Sequence, residues 1–391
     1  GRYSDRARKD SVSTKLLRLG LVIGLIFGLF IAHSWFFRLT ESGTRFRGFL
    51  IPLLGLISTF SFALQLVVSG AQRQTFKWML IMSDEERCFV DGELALELTD
   101  SGVTTHLLDQ GQFQDLLLRE GSRHINWLGV TVALSDQVHL SDSAVERILS
   151  LRAQGIRICT LLDWCEIALQ RVPPELIDQR WFIAADGFNI QPGRMGWRLK
   201  RLVDVIGALV LIVLTTPLML LAMALIPLED GGSVFYTQIR TGLYGERVKI
   251  WKFRSMRVDA ESGGIQWASR GDSRITRCGV LLRQLRIDEL PQLFAVLAGE
   301  LSLIGPRPER PELEVDLEAV IPHYRIRHWI RPGLSGWAQV NYPYGASVED
   351  SKTKLSFDLY YIRNAGFWLD ALILLKTIRL VAGAKGAQPR P

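Results

Sequence analysis

Apolar positions along the chain form three long runs separated by stretches of shorter period. Residues 16–37 are apolar except for Arg18 near the start and His33 and Ser34 near the end, which is enough to cross a bilayer. A link over residues 38–48 leads to a second run, 49–69, so the two predict a transmembrane hairpin. No small-residue cleavage site follows the first run, which predicts an anchor and not a signal peptide. Residues 1–15 carry five Lys and Arg against three in the link, which places both hairpin ends, and the chain after Gln72, on the cytoplasmic side. Gly1 in place of methionine predicts a processed N-terminus.

From residue 76 to about 190 the pattern becomes short and alternating. Strands are predicted over 77–82, 104–108, 127–134 and 156–161, and helices around 113–118 and 143–154. Strand and helix in turn predict a parallel sheet with flanking helices, a Rossmann-like α/β domain. The stretch after its first strand, Met82-Ser83-Asp84-Glu85-Glu86, has no Gly-x-Gly-x-x-Gly, so no phosphate cradle is expected there. Three glycines and one proline in 186–196 predict a linker. The third apolar run, 202–228, follows Lys200 and Arg201 and is long enough to span, but Pro217, preceded by Thr215 and Thr216, predicts a kink or break near its middle.

Candidate chemistry concentrates between Val248 and Gln339. Asp288 and Glu289 precede the apolar residues 290–297, with Pro291 in the first turn and Gly299 near the end, which predicts a helix capped by Asp288. A carboxylate or a phosphate at such an end would lie among free amide donors. Upstream, Val248-Lys249-Ile250-Trp251-Lys252-Phe253-Arg254 alternates as a strand, with Lys252 and Arg254 on one face and Trp251 and Phe253 on the other. Residues 258–272 predict a loop over the site, and 275–286 a helix carrying Arg283 as a substrate contact and Arg286 as a surface or lipid-facing charge. Downstream, Pro306 and Pro308 stiffen the backbone around Arg307, and Arg331 precedes a glycine-rich turn. Paired carboxylates among cations suit chemistry on a pyrophosphate.

The ordered motifs Lys252-Phe-Arg254-Ser-Met, Asp288-Glu289-Leu-Pro-Gln-Leu, Leu303-Ile-Gly-Pro-Arg307-Pro and Arg331-Pro-Gly-Leu-Ser-Gly-Trp-Ala-Gln-Val resemble the bacterial sugar transferase family, the large monotopic phosphoglycosyl transferases, over roughly residues 196–381. The resemblance implies transfer of a sugar 1-phosphate from a UDP-sugar, with glucose or galactose foremost and acetamido sugars also open, to polyprenyl (undecaprenyl) phosphate with release of UMP. It implies Asp288 as nucleophile and metal contact, and Glu289 as an aid to proton handling. Mg2+ with Lys252, Arg254, Arg283, Arg307 and Arg331 would then neutralise the diphosphate. It further implies a re-entrant helix at 202–228 broken at Pro217. Such a helix keeps the site on the cytoplasmic face of the inner membrane, where nucleotide sugars are made; hydroxyls of Thr215 or Thr216 would serve polar groups freed by the kink. Residues 76–190 resemble the CoA-binding-like module of this family, with a structural, dimerising or regulatory role, and a homodimer is expected. Large members generally show four N-terminal spans, whereas two are predicted here.

The fold expected is therefore an α/β membrane protein: hairpin in residues 1–75, Rossmann-like domain 76–190, catalytic domain 196–382 and a disordered tail 383–391. Charged residues over 311–331 and apolar ones over 367–381 predict two further helices, the second suited to a membrane interface or a core.

Composition agrees with this reading. The 391 residues are 48% hydrophobic and 22% charged, and the mean hydropathy of +0.15 is high for a soluble chain. The net charge of +6 suits anionic lipid, and no nucleic-acid-binding motif is present. Cys88, Cys159, Cys165 and Cys278 lack metal or disulfide spacing and read as reduced thiols, and His323 and His328 read as surface or packing residues. Two other classes compete. A membrane-bound nucleotide-sugar epimerase or dehydratase lacks its glycine fingerprint and Tyr-x-x-x-Lys here; a non-catalytic scaffold would have no need of the Asp288-Glu289 pair.

Overall fold

A computed structural model describes residues 77–87, 90, 104–118, 127, 130–185, 187–188, 193–260, 272–342 and 347–382. The predicted hairpin at 16–37 and 49–69, most of the 258–272 loop and the 383–391 tail lie outside the described residues. The chain divides into two compact units, residues 1–167 and 168–391.

In the first unit, β1 (Lys77–Ile81), β2 (Thr104–Leu108), β3 (Val130–Leu134) and β4 (Arg157–Thr160) form one sheet in the order β2-β1-β3-β4. All three pairings are parallel, as the alternation of strands with helices requires. Helices α1 (Gln110–Leu118) and α2 (Asp142–Ala153) supply Phe113, Leu117, Ala144, Ile148 and Leu151 to a core shared with Ile81 and Val132. The switch point of such a sheet, outside the carboxyl ends of β1 and β3, is where a phosphate would bind. Here it holds the buried Glu86, which accepts from the Ser83 amide at 2.9 Å and from Ser135 Oγ at 2.6 Å. A short helix, α3 (Leu161–Trp164), follows β4 behind a Thr160–Asp163 capping box.

The second unit opens with α4 (Gln179–Ala184) and is built on α5 (Met195–Asp230), which is long and apolar enough to cross a membrane. The run predicted at 202–228 thus extends about two turns at its start and two residues at its end. Pro217 does not break it: the helix is continuous, and Thr215 and Thr216 each turn their hydroxyls back to the carbonyls of Leu211 and Ile212 at 2.7 Å. Its buried positions, Asp204, Ala208, Met219, Ala222 and Ile226, recur at intervals that keep them on one stripe. Leu209, Val213, Leu214, Leu220, Leu221 and Leu228 are exposed.

That stripe packs against the rest of the unit along its whole length. Ala208 joins Val248 and Ile250 of β6 (Arg247–Phe253), which pairs antiparallel with β5 (Phe235–Thr241). Met219, Ala222 and Ile226 meet Phe253, Leu282 of α6 (Arg277–Gln284) and Ile287. Charged groups fasten both ends. Near the start, Lys200 pairs with Asp370 at 2.8 Å, and Asp204 accepts from Ser302 Oγ at 2.8 Å and from the Leu303 amide at 3.1 Å. At the far end, Glu229 accepts from the amides of Arg277 and Cys278 at 2.7 and 3.0 Å.

The remaining elements are α7 (Gln292–Ala298), β7 (Ser302–Ile304), α8 (Pro311–Val320), β8 (Gly333–Ser335), α9 (Trp337–Asn341), α10 (Val348–Asn364) and α11 (Phe367–Ala382). The helix expected over 311–331 stops at Val320, because His323 takes a left-handed conformation and a 3-10 turn, Tyr324–Trp329, follows. His323 and His328 are half-buried, His323 against the Phe182 ring, and Cys159, Cys165 and Cys278 are free thiols. Strands β7 and β8 pair in parallel around two glycines. A Cβ on Gly333 would overlap the Gly305 amide and sit 2.6 Å from the Ile304 carbonyl carbon, neighbours that are backbone and cannot step aside. Gly333→Ala should therefore cost about 1–3 kcal/mol or more and lower the thermal midpoint by several degrees; a midpoint equal to wild type would contradict this packing.

Candidate active site

The acid pair does not cap a helix as the sequence predicts. Ile287–Glu289 is a single 3-10 turn, Arg286 before it is left-handed (φ 58°), and the position preceding α7 belongs to Pro291, whose side chain caps nothing. Two apolar neighbours hold this turn in place. Ile287 packs on Met219, Ala222 and Ile226, and Leu290 touches the clusters around both Ala208 and Met219. The acids are thereby pinned beside the second half of the long helix.

Their environments differ sharply. Glu289 Oε1 accepts from Arg307 Nη2 at 2.6 Å and lies 3.6 Å from Lys252 Nζ, while Oε2 lies 3.4 Å from Arg286 Nη1. Burial opposes its ionisation, but Arg307, Lys252 and Arg286 win and hold the carboxyl well below its usual range. Asp288 is 9% exposed, and its Oδ1 accepts no hydrogen bond among the described residues. Burial and the adjacent Glu289 push it up to about 6, against the pull of Lys252, Arg283 and Arg286. Burial likewise lowers Lys252 to about 8 despite Glu289.

Of the predicted cations, Lys252, Arg283 and Arg307 act on this pair. Arg286, read from sequence as a surface or lipid-facing charge, belongs to it as well. Arg254 is placed elsewhere: it forms a two-pronged pair with Asp230, 2.6 Å from Nη1 to Oδ2, and its Nε donates to Ser233 O at 2.7 Å. It ties the end of α5 to the strand that carries Lys252. Arg331 donates to Gly299 O at 2.8 Å and stacks on Trp197 at 4.2 Å, beside Lys200, Arg201 and Asp204. Arg240 was not singled out by sequence; alternation along β5 puts it on the Lys252 side of the hairpin, where its charge acts on Lys252 and feels Arg307.

Among the described residues no three His, Cys, Asp or Glu side chains converge as a metal cage. The bare, buried Asp288 Oδ1 nevertheless suits a hard cation that takes one carboxylate and completes its shell with phosphate oxygens and water, the habit of Mg2+.

Residues 195–384 match the model of a family described as bacterial sugar transferase. A Bacillus subtilis protein named an uncharacterized sugar transferase, EpsL, is 39% identical over 191 residues, which are 49% of this chain and 90% of that one. This chain belongs to the bacterial sugar transferase family. Another member, the UDP-N-acetylgalactosamine-undecaprenyl-phosphate N-acetylgalactosaminephosphotransferase of Aeromonas hydrophila, is 47% identical over 190 residues, 49% of this chain and 45% of its own length. The UDP-glucose:undecaprenyl-phosphate glucose-1-phosphate transferase of Xanthomonas campestris is 42% identical over 191 residues, 48% of this chain and 40% of its own. The chain thus matches less than half the length of these two relatives.

The unequal pair yields a titration test. Neutralising Glu289 removes a repulsion and frees three cations to act on Asp288, so Glu289→Gln should bring the Asp288 midpoint down from about 6 toward 3.8. Lys252→Met removes an attraction and should raise it. Carboxyl carbon NMR of the metal-free protein reads both; midpoints moving together would contradict the arrangement.

Proposed function

We propose that this protein transfers a sugar 1-phosphate from a UDP-sugar to polyprenyl phosphate, most closely undecaprenyl phosphate, and releases UMP. The first step primes a surface polysaccharide on the cytoplasmic face of the inner membrane. The observation that carries this reading is a buried acid, Asp288, whose Oδ1 accepts no hydrogen bond among the described residues, next to an acid held by cations, both beside the second half of a membrane-length helix.

In the first half-reaction an Asp288 oxygen attacks the sugar-bearing phosphorus. The bond from that phosphorus to the bridging oxygen breaks, its electron pair leaves with UMP, and an acyl phosphate joins Asp288 to the sugar phosphate. A polyprenyl phosphate oxygen then attacks the same phosphorus, and the Asp288 carboxylate leaves to give a polyprenyl diphosphate sugar. Lys252 and Arg307 offset the charge of the diphosphate as the anionic nucleophile approaches, with the Arg283 charge also acting on Asp288. Asp288 would hold Mg2+, which would supply further neutralisation of phosphate charge.

Glu289 takes a different part from the proton carrier the family resemblance implies. Held ionised by three cations, it keeps them gathered at the reacting phosphorus and is poorly placed to accept a proton at neutral pH. The re-entrant course of α5 is supported by its packing: Arg201 donates to the Leu297 carbonyl at 2.7 Å near one end, and Asp230 holds Arg254 at the other, within one unit. A helix crossing fully would leave its far half without that partner.

Relatives named for glucose and for N-acetylgalactosamine transfer make UDP-glucose and UDP-N-acetylgalactosamine the first donors to assay, with UDP-galactose beside them from the family resemblance. Asp288→Asn should lower UMP release by three orders of magnitude or more, about the cost of deleting a covalent nucleophile, while the protein stays folded and membrane-bound. Near-normal turnover by that variant would remove Asp288 from the chemistry.

A further inference from the structure

Arg307 reaches Glu289 from a loop that contributes almost nothing but acceptors. Pro306 and Pro308 have no amide hydrogen, so the stretch can be held chiefly through its carbonyls. Four consecutive carbonyls are held. Pro306 O accepts from the Gly333 amide at 2.8 Å, Arg307 O from Arg327 Nη2 at 2.9 Å, Pro308 O from Arg240 Nη1 at 3.1 Å, and Glu309 O from the Thr241 amide at 3.0 Å. Backbone supplies the outer two, side chains the inner two.

The donor to Arg307 itself is locked from behind. Arg327 is buried, pairs with Asp358 Oδ2 at 3.1 Å, donates to the Tyr324 hydroxyl and lies over that ring. Asp358, on α10, is 1% exposed. Burying an ion pair is expensive, and apolar side chains of the same volume often hold a fold as well. What they cannot do is serve three acceptors in a fixed plane, which the guanidinium fork does and a lysine ammonium does not.

We propose that Arg327, braced by Asp358, is a positioning residue that sets the Arg307 backbone so that its guanidinium meets Glu289 and the reacting phosphate. This rests on the transferase reading for its catalytic half only. The guanidinium of Arg307 is about six bonds from the anchored carbonyl, so a small rotation of the loop moves it by an ångström or more. Misplacement of that size is worth about 100-fold in rate.

The test uses the full chain in lipid nanodiscs, with Arg327→Lys, Asp358→Asn and, as control, Arg325→Lys at an exposed arginine paired with Glu318. Hydrogen exchange of the Gly333 and Thr241 amides, which donate to the Pro306 and Glu309 carbonyls, should quicken in the first two variants and not in the third. UMP release should fall about 100-fold in Arg327→Lys, with no further fall when it is combined with Arg307→Met, because both act through one group. Should Arg327→Lys fail to accumulate, Asp358→Asn, which keeps shape and loses charge, takes its place in the cycle. Unchanged exchange, or losses that multiply, overturns the proposal. A wild-type protein that releases no UMP from any donor overturns the transferase reading instead, and the exchange data still decide whether Arg327 holds the loop.

Discussion

The cation clasp on Glu289 is the interaction on which the rest depends. Two neighbouring carboxylates in a buried turn repel each other, and only one can be well compensated by the charges at hand. Lys252, Arg286 and Arg307 go to Glu289, which leaves Asp288 desolvated, its Oδ1 without a hydrogen bond among the described residues. A carboxylate oxygen free of donors is a better nucleophile than one held by two guanidinium groups and an ammonium. Glu289 simultaneously keeps positive charge within reach of any phosphate that approaches Asp288. Its own charge prevents those cations from repelling one another apart.

The second constraint is where this turn is fastened. Ile287 and Leu290 flank the acids and insert against the long helix, so the chemistry and the apolar surface share a wall. The same helix ends in Glu229 and Asp230, one holding the first turn of the helix that carries Arg283, the other holding Arg254 next to Lys252. A shift of the helix would thus displace two of the cations around Asp288. For a reaction whose acceptor arrives from lipid and whose donor arrives from water, such a joint wall keeps both substrates aligned on one phosphorus.

Much of this was legible in the sequence. Alternation placed the four parallel strands of the first unit to within three residues at every boundary, and the order of short motifs brought out the acids and Lys252 and Arg307. Contacts formed across distant segments were not legible. Strand period assigned Arg254 to the face of Lys252, but Asp230, at the end of another element, captures it, and Gly232 leaves the room: a Cβ there would lie 2.7 Å from the Arg254 Cζ. Arg286 read as a surface charge because nothing local announces its left-handed backbone, which turns the side chain toward Glu289. The expected cap at Asp288 failed because the apolar run that follows is helical only from Gln292, after a 3-10 turn. Pro217 leaves the helix unbroken, beside threonine hydroxyls that bond to the Leu211 and Ile212 carbonyls of the preceding turn.

The central claim is that the unclasped acid, and not its neighbour, becomes bonded to phosphorus. Intact-protein mass spectrometry after incubation with a UDP-sugar in the absence of lipid acceptor tests this most directly. The account predicts one sugar phosphate per chain, mapped by fragmentation to Asp288 and discharged when polyprenyl phosphate is added. An unmodified chain that nevertheless turns over in the complete mixture, or an adduct on Glu289, would contradict it.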